Sequence, residues 1–438
     1  MIVFSTLLKL LPFVGLSFGF PSKTLSHKFP GARTGIKNPS ALQDLEKNIT
    51  AYIVPANYGS ASFNQVRALY PGAVGIVGNE GTIVSHFSSG YALQYADANG
   101  TELPKRSWVP LAKDSIFDMA SLTKMFTTIL ALQQLEKGTI ALNGTVASYL
   151  PGFEAGGKEN VTVEMLLTHT AGFDADPDPG LWNGYATLEE RRQAILTTAV
   201  IHTPGIVYLY SDLSFMSIQL LLEHITSTPL DELLKQGLTG PLKMTSTFYN
   251  RGNVEYAADE LIASKIVATE YQIEVLGSVE PQRRQPVWGT VHDENAWGVD
   301  GVSGHAGLYS NAEDVAVFCQ MILNNGTYGG TRVLKGETVD LIFTNFNTAF
   351  PGNAHGLGFE LDQNYWSGPM HSLQTAGHTG YTGTSLAIDR PQEAELPLMD
   401  TPKILDDDAR DLYDEQSIDV SSDYCDEDTS IWEVQSGQ

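Results

Sequence analysis

The sequence predicts an α+β fold in which an antiparallel sheet is formed by N- and C-terminal segments and flanked by helices. Three observations favour this class. The stretch PGAVGIVGNEGTIVSHFSSGYAL, from Pro71, has two β-rich runs around the turn residues Asn79 to Gly81, as in a hairpin. Helical spacing of apolar residues dominates from Ser121 to about Leu323, and a β pattern returns from His371. Strands near both ends with helices between them predict a sheet faced by a largely helical inserted domain.

Composition sets limits on the size of the core and on the partners. The chain has 438 residues with 42% hydrophobic content, enough for one large domain or two closely joined ones. Its formal net charge is −25, and a phosphate backbone requires a basic surface. We therefore expect no nucleic-acid partner.

The N-terminus and the sequons predict secretion. Residues 1–19 form an apolar run of signal-peptide length, with Ser17 and Gly19 as small residues before a cleavage site at Phe20. Lys9 and Pro12 interrupt the run, so a spanning helix is not expected. The chain also contains five N-x-S/T sequons, at Asn48, Asn99, Asn143, Asn160 and Asn325. We expect N-glycans at some of these sites. Residues 20–64 are predicted to be an N-terminal extension.

The two cysteines do not predict a disulfide framework. Cys319 lies in the apolar helical run DVAVFCQMIL and is predicted to be a core residue. Cys425 lies in an acidic tail. From Arg390 onward the chain has 15 acidic and 3 basic residues, a net charge of −12. Such density predicts that residues 391–438 are disordered.

Ser121 and Lys124 lie three residues apart at the start of an apolar helical pattern, FDMASLTKMFTTILALQQLEKG. Residues at i and i+3 are neighbours on a helix. Burial disfavours an ammonium ion, so we expect the Lys124 pKa to fall toward neutrality and the amine to accept the Ser121 proton. Ser121 would then be a nucleophile whose backbone N–H, at a helix start, is free for an oxyanion. The alternative is that both side chains face solvent.

Two further motifs favour the nucleophile. Tyr210, Ser211 and Asp212 follow the first motif, and the glycine-rich segment GHTGYTG places His378, Thr379 and Gly380 later in the chain. With these motifs in this order, and with the segments LLTHTAGF and GVSGHAGLYSNAEDVAVF, the chain resembles the serine β-lactamases and penicillin-binding-protein-like hydrolases, nearest to the class C and esterase branch. The resemblance covers residues 65–390, which we predict to be the hydrolase domain.

The resemblance implies roles for these residues. Ser121 attacks an acyl carbonyl, while Lys124 and Tyr210 share proton transfer. The N–H groups of Ser121 and Tyr381 form the oxyanion hole. Asp212, His378, Thr379 and Gly380 bind substrate with Tyr381, and no metal or cofactor is required. Gly380 and Gly383 allow close approach of the strand backbone.

Two departures from the family pattern concern the substrate. The second motif ends in Asp212 where β-lactamases usually have Asn, and the third begins with His378 where they have Lys. An aspartate cannot donate an amide N–H, and an ionised Asp212 near Lys124 would raise that lysine's pKa or orient its amine. A mostly neutral His378 binds a carboxylate less strongly than lysine does. We therefore predict an esterase or acyl transferase rather than a true β-lactamase.

Other polar residues have alternative interpretations. His169, His292 and His305 are interpreted as holding loops by hydrogen bonds rather than as catalytic groups. Asp293 could line the cleft or lie in a solvated loop.

The tail is a third departure from the family pattern. After TSLAIDR neither the expected last strand nor a closing helix is apparent. The alternative function is therefore a weak, inactive, misfolded or merely ligand-binding relative.

Overall fold

The computed structural model describes residues 24–27, 39–57, 66, 68–97, 100–256, 262, 264–272, 283, 285–390 and 431–437. In that part of the chain the strands are β1 Ser26–His27, β2 Gly72–Asn79, β3 Thr82–Leu93, β4 Val109–Pro110, β5 Ile116–Asp118, β6 Phe248–Tyr249, β7 Leu308–Asn311, β8 Thr327–Tyr328, β9 Thr331–Arg332, β10 Glu360–Leu361, β11 Thr375–Thr379, β12 Thr384–Asp389 and β13 Ile431–Gly437.

The helices mostly lie between β5 and β10. They are α1 Pro39–Ala51, α2 Thr123–Glu136, α3 Val146–Tyr149, α4 Val163–Leu167, α5 Leu181–Gly184, α6 Leu188–Thr197, α7 Asp212–Thr226, α8 Leu230–Leu234, α9 Gly240–Leu242, α10 Glu294–Gly298, α11 Ala312–Leu323, α12 Gly336–Val339 and α13 Asn364–Ser367. Short 3₁₀ turns occupy Lys105–Ser107, Ala120–Leu122, Asp340–Ile342 and Gly368–Met370, and a π-helical turn occupies Lys235–Thr239.

The principal sheet has the order β1-β3-β2-β13-β12-β11-β10, with β4 added to β3. All its pairings are antiparallel except β1 with β3. Strands from both ends of the chain meet in it, with the helices between them in sequence. The predicted α+β class is confirmed.

The hairpin of β2 and β3 forms where the sequence predicts it. Its two-residue turn, Glu80 and Gly81, has positive φ at both positions, 48° and 81°. This is the backbone of a type I′ turn, whose twist matches that of the flanking strands. The turn fixes the register of β2 against β3. The other edge of β2 pairs with β13.

Both faces of the sheet are covered by helices, because β2 and β3 bury apolar side chains on each side. On one face Leu42, Leu45 and Ile49 of α1 join a cluster with Ala73 and Val77. The opposite face belongs to the main core, whose sheet members include Val74, Ile76, Leu386 and Ile388. Cys319 of α11 is buried in that core, as predicted. Helix α2 is buried on nearly every side, so the start of α2 is a rigid place for a functional side chain.

The C-terminal part of the sheet corrects one prediction. Residues 431–437, which we expected to be disordered, form β13 between β12 and β2, so the strand thought to be missing is present. The prediction failed because it averaged charge over the whole acidic tail, within which Ile431, Trp432 and Val434 form a short β-favouring stretch. Residues 391–430, with Cys425, lie outside the described residues.

The N-terminal extension also contributes to the fold. The prediction assigned no structure to residues 20–64, yet β1 pairs with β3 and α1 packs on the sheet. The predicted signal peptide lies outside the described residues. Within the described part of the chain, no helix has both the length and the apolar character needed to cross a membrane.

Candidate active site

Ser121 lies in a tight turn between β5 and α2. The preceding residue, Ala120, has φ of 44°, a left-handed conformation that is uncommon for a residue with a side chain. Buried Asp118 supports the turn by accepting the Ala120 N–H at 2.9 Å and the His292 N–H at 2.7 Å. Burial raises the pKa of Asp118. The Asp118 carboxyl group thus stabilises the strained turn that places Ser121 just before α2.

Lys124 contacts Ser121 as the i, i+3 spacing predicts. Its Nζ donates to Ser121 Oγ at 2.9 Å, to the His305 carbonyl oxygen at 3.2 Å, and lies 2.7 Å from Asp212 Oδ1. The side chain is fully buried, and Nζ is 4.8 Å from the centroid of the Tyr210 ring. The Lys124 ammonium group thus donates two hydrogen bonds and has the Asp212 carboxylate as its counter-ion.

The charge state of Lys124 corrects a second prediction. Burial lowers the pKa of Lys124, but the Asp212 carboxylate and then Tyr210 more than offset burial, so the pKa is raised above its usual value. The sequence argument considered both effects and favoured burial. The 2.7 Å contact with Asp212 reverses the outcome, because Coulomb attraction at contact distance is strong for a buried charge such as that of Lys124.

Tyr210 lies two residues before the first residue of α7 and completes the polar group around Ser121. Its hydroxyl is within hydrogen-bonding reach of both Lys124 and Ser121. Burial raises the pKa of Tyr210 to about 12, while the nearby Lys124 charge opposes this shift. The phenol is therefore neutral at rest. The structure brings Ser121, Lys124 and Tyr210 together, as the motifs predict.

Asp212 is surrounded by further acidic and imidazole groups. Besides Lys124, Asp212 lies 3.9 Å from His305 Nε2 and beside the carboxyl group of Asp176. Burial and the neighbouring carboxylates of Asp212 and Asp293 raise the pKa of Asp176 to about 6. Asp212 is thus engaged as the counter-ion of Lys124, and Asp176 places a second titratable carboxyl beside it.

The turn after β11 docks against the Ser121 turn. Thr382 Oγ1 donates to the backbone carbonyl oxygen of Asp118 at 2.6 Å. Thr384 Oγ1 donates to the backbone carbonyl oxygen of Met119 at 3.1 Å. A Cβ on Gly380 would lie 2.7 Å from the Met119 oxygen, so only glycine fits at this approach. Gly383 has φ of 80°, which closes the turn.

This docking places Tyr381 at the edge of the site. Its side chain is 79% exposed, and its ring centroid is 5.4 Å from that of His292. The Tyr381 backbone follows Gly380, which contacts the segment immediately before Ser121. The two N–H groups predicted to form the oxyanion hole therefore belong to adjoining turns.

His378 and Thr379 are the last two residues of β11, and the His378 ring lies near that of Tyr210. The His378 ring is buried, its Nδ1 lies 2.6 Å from the Thr379 carbonyl oxygen, and its centroid is 5.7 Å from that of Tyr210. Because a carbonyl only accepts, Nδ1 carries the proton. Burial lowers the pKa of His378, so this position presents a neutral imidazole.

The remaining histidines make the loop contacts expected of them. His305 Nδ1 lies 2.7 Å from Ser303 Oγ and its Nε2 lies 3.0 Å from Asp293 Oδ1. Asp293 also accepts the Ala296 N–H and so caps α10. Burial lowers the pKa of His305, but the carboxylates of Asp293 and then Asp212 raise it overall.

One group of potential metal ligands lies in the described part of the chain. The donor atoms of Asp212, Asp293 and His305 are within 4.8 Å of one another. Two of the three already have strong partners, since Asp212 pairs with the Lys124 ammonium and Asp293 accepts from α10 and His305. These contacts leave little capacity for a cation, and the expectation that no metal is required stays a prediction.

The sequence argument missed the residues that support the site. Asp118, Thr382 and Asp176 each contact a motif residue or the turn that carries one. Asp118 lies three residues before Ser121, and Thr382 lies within GHTGYTG. Their closeness in sequence to the motifs is the signal from which a supporting role could have been predicted.

Comparison with known proteins identifies the family. Residues 63–397 match the family model described as Beta-lactamase. The chain belongs to this β-lactamase family. A protein of Salmonella typhi described as a putative D-alanyl-D-alanine carboxypeptidase is 33% identical over 345 residues, which cover 74% of this chain and 77% of that protein. This β-lactamase-family chain is therefore a hydrolase of the serine type.

Solved structures of this family share the fold at low sequence identity. EstCE1, described as a hydrolase with promiscuous acyltransferase activity, aligns with a TM-score of 0.59 and 19% identity, over 80% of this chain and 91% of that one. The penicillin-binding protein homologue of Pyrococcus abyssi has a TM-score of 0.57 and 15% identity, over 91% and 73% of the two chains. LovD of Aspergillus terreus, a simvastatin synthase, has a TM-score of 0.56 and 19% identity, over 80% and 90%.

Proposed function

We propose that this β-lactamase-family chain is a secreted hydrolase of small esters or amides that acts through an acyl-enzyme at Ser121, as an esterase or acyl transferase rather than a β-lactamase. The observation that carries the proposal is the 2.9 Å contact of Ser121 Oγ with Lys124 Nζ, with the Tyr210 hydroxyl in reach of both. A serine hydroxyl placed between an ammonium and a phenol is a plausible nucleophile toward an acyl carbonyl.

The contacts favour a division of labour between Lys124 and Tyr210. Because the nearby Asp212 carboxylate keeps Lys124 protonated, its nitrogen has no lone pair for the Ser121 proton in the resting site. Lys124 instead stabilises negative charge developing on Oγ. In the fraction of molecules whose Tyr210 has lost its proton to solvent, the phenolate takes the Ser121 proton as Oγ bonds to the acyl carbon, and Tyr210 then gives that proton to the leaving group. Water or an alcohol releases the acyl group in the second half-reaction.

The second and third motifs support the preference for esters. Asp212 is engaged with Lys124, and an aspartate has no amide N–H for a substrate's side-chain amide. His378 is buried and neutral, so the site lacks the cation that would bind a β-lactam carboxylate there. A simple ester requires neither contact. EstCE1, which shares the fold, is described as a hydrolase with acyltransferase activity.

Secretion is part of the proposal and rests on residues 1–19 and on the sequons. Of the sequon asparagines, the described ones are all exposed, namely Asn48, Asn143, Asn160 and Asn325. Exposure is required for a glycan, so these sites are consistent with passage through a secretory pathway.

A comparison of substrates tests the proposal. The expected result is a larger kcat/KM for p-nitrophenyl acetate or butyrate than for a chromogenic cephalosporin. Ser121→Ala should abolish ester turnover and fluorophosphonate labelling, with an unchanged circular dichroism spectrum, because the nucleophile alone is removed. A higher kcat/KM for the cephalosporin would overturn the substrate preference, and full activity of Ser121→Ala would overturn the nucleophile.

The inactive-relative alternative loses one of its two supports. It rested on the absence of the last strand and of a closing helix, and β13 supplies that strand. No closing helix follows β12 among the described residues. Absence of labelling in the wild-type chain would favour this alternative.

A further inference from the structure

The loop from His169 to Ala175 runs beside the segment that carries Tyr210. Four hydrogen bonds join them: Leu209 N–H to His169 O at 3.0 Å, Ser211 N–H to His169 Nδ1 at 3.0 Å, Ser211 Oγ to Asp174 O at 2.6 Å, and Asp212 N–H to Ala175 O at 2.8 Å. Two of these come from His169 and flank Tyr210 on either side. The position of Tyr210 therefore depends on one residue that binds its neighbours through both main chain and side chain.

The His169 side chain is committed to this arrangement. It is buried, and its ring centroid lies 4.6 Å from that of Tyr210 at an interplanar angle of 31°. Because Nδ1 accepts the Ser211 N–H, the ring proton must lie on Nε2 and the ring must be neutral. Burial, and then the nearby charges of His355 and Lys124, hold the pKa of His169 well below its ordinary value, which preserves the acceptor.

The His169 backbone is also unusual. Its φ is 56°, in the left-handed region that is uncommon for residues with a side chain, although asparagine, aspartate and histidine are enriched there. Histidine is therefore compatible with this backbone, and the conformation is what allows its carbonyl oxygen and its Nδ1 to bind the residues on both sides of Tyr210.

We propose that His169 is a positioning residue for Tyr210: its Nδ1 and carbonyl oxygen fix the backbone on both sides of the tyrosine, and its ring supports one face of the phenol. This inference rests on the proposed role of Tyr210 in proton transfer. The His169 contacts are with the segment that carries Tyr210 and with neighbouring rings rather than with Ser121, so His169 acts through the tyrosine.

Three substitutions separate the ring from the acceptor. His169→Asn places an amide oxygen at the same number of bonds from Cα as Nδ1 and tolerates the left-handed φ, so it keeps the acceptor without the ring. His169→Phe keeps a ring without the acceptor, and His169→Ala removes both. For each variant, kcat for p-nitrophenyl butyrate is measured per active site titrated with a fluorophosphonate, at a temperature below the onset of unfolding.

We expect His169→Ala and His169→Phe to lower kcat by about 10- to 100-fold, the range expected when a reacting group shifts by about 1 Å. KM should change by less than about twofold, because no substrate contact is lost. His169→Asn should recover most of the loss. A purely structural role would instead lower the melting temperature while leaving kcat per titrated site unchanged, and that result would overturn the inference.

A double-mutant cycle with Tyr210→Phe tests whether His169 acts through the tyrosine. In the Tyr210→Phe background, His169→Ala should cost less than about twofold in kcat, since the group it positions is already absent. If His169→Ala does not fold, His169→Phe takes its place in the cycle. An equal loss in both backgrounds would overturn the inference alone, whereas wild-type activity of Tyr210→Phe would overturn the proposed mechanism.

Discussion

Lys124 and Lys158 are both removed from solvent, but their surroundings shift their pKa values in opposite directions. Lys124 contacts the Asp212 carboxylate, and its pKa is raised. Lys158 has no carboxylate at ion-pair distance among the described residues. Its Nζ donates to the carbonyl oxygens of Leu196 and Thr198, and burial lowers its pKa to about 8.

The difference teaches that burial alone does not make a lysine into a base. Lys158 behaves as the sequence argument expected of Lys124, because its acceptors are neutral carbonyl groups near the end of α6. Lys124 has the same degree of burial and one added carboxylate, which is sufficient to keep the amine charged. The S-x-x-K spacing therefore predicts the contact of Lys124 with Ser121. The charge of Lys124 is instead set by Asp212, the last residue of the second motif.

Removing each amine in turn gives the largest expected contrast. Lys124→Met should lower kcat/KM for p-nitrophenyl butyrate by about 10²–10⁴-fold, the usual range for a group that acts in proton transfer or charge stabilisation at the reacting atom. Lys158→Met is the matched control, and its kcat/KM should equal that of the wild type once corrected for folded protein. Comparable losses in the two variants would contradict the assignment of Lys124 to the site.

Removing the carboxylate that distinguishes the two lysines should move the pH profile. Beside the Asp212 carboxylate Lys124 keeps its proton at neutral pH, and Tyr210, with a pKa of about 12, also stays protonated, so kcat/KM should rise toward alkaline pH as the Tyr210 phenolate forms. Asp212→Asn lowers the pKa of Tyr210, because the negative charge that helps to raise it is lost. The alkaline rise should shift to lower pH by about 1–3 units.

The control for this shift is Asp231→Asn, because Asp231 pairs with Arg251 instead of Lys124. Its profile should match the wild type. An unshifted profile in Asp212→Asn would show that ionisation of Tyr210 does not govern the alkaline rise.

The smallest expected effect is on stability near Lys158. Its folded pKa of about 8 lies below the ordinary 10.5, so between these values the unfolded chain binds more protons than the folded one. The free energy of unfolding should therefore rise with pH across this window relative to Lys158→Met, as measured by urea titration at pH 7.5 and 10.

Lys158 also lies 4.9 Å from the Phe153 ring centroid and 5.7 Å from that of Phe173. If these rings stabilise the ammonium more than burial disfavours it, the free energy of unfolding will fall instead over the same window.

The site could be predicted from the sequence as far as short-range spacing reaches. Ser121 and Lys124 meet because they lie one helical turn apart, and the hairpin of β2 and β3 forms from a local turn. The charge of Lys124 depended on a distance to Asp212, across 88 residues, for which spacing gives no value. Asp118 binds the Ala120 N–H locally, but its second partner, the His292 N–H, is 174 residues away, and spacing gives no value for that distance either.

The missed strand has the same cause. The pairing of β13 with β2 joins residues more than 350 positions apart, and a seven-residue stretch within a strongly acidic tail carries little local signal. The prediction of disorder rested on the average composition of the tail, and it was wrong for residues 431–437, which pair with β12 and β2.

The place of β13 in the sheet has a consequence for synthesis of the chain. Among the described strands it is the last to be translated, yet it lies between the hairpin of β2 and β3 and the pair of β11 and β12. While the ribosome has not passed residue 437, these two halves have no strand to join them, and both leave a sheet edge open to pairing with other chains. The antiparallel sheet beside Ser121 is therefore completed late in translation or after it, and until then two unpaired edges are exposed to aggregation.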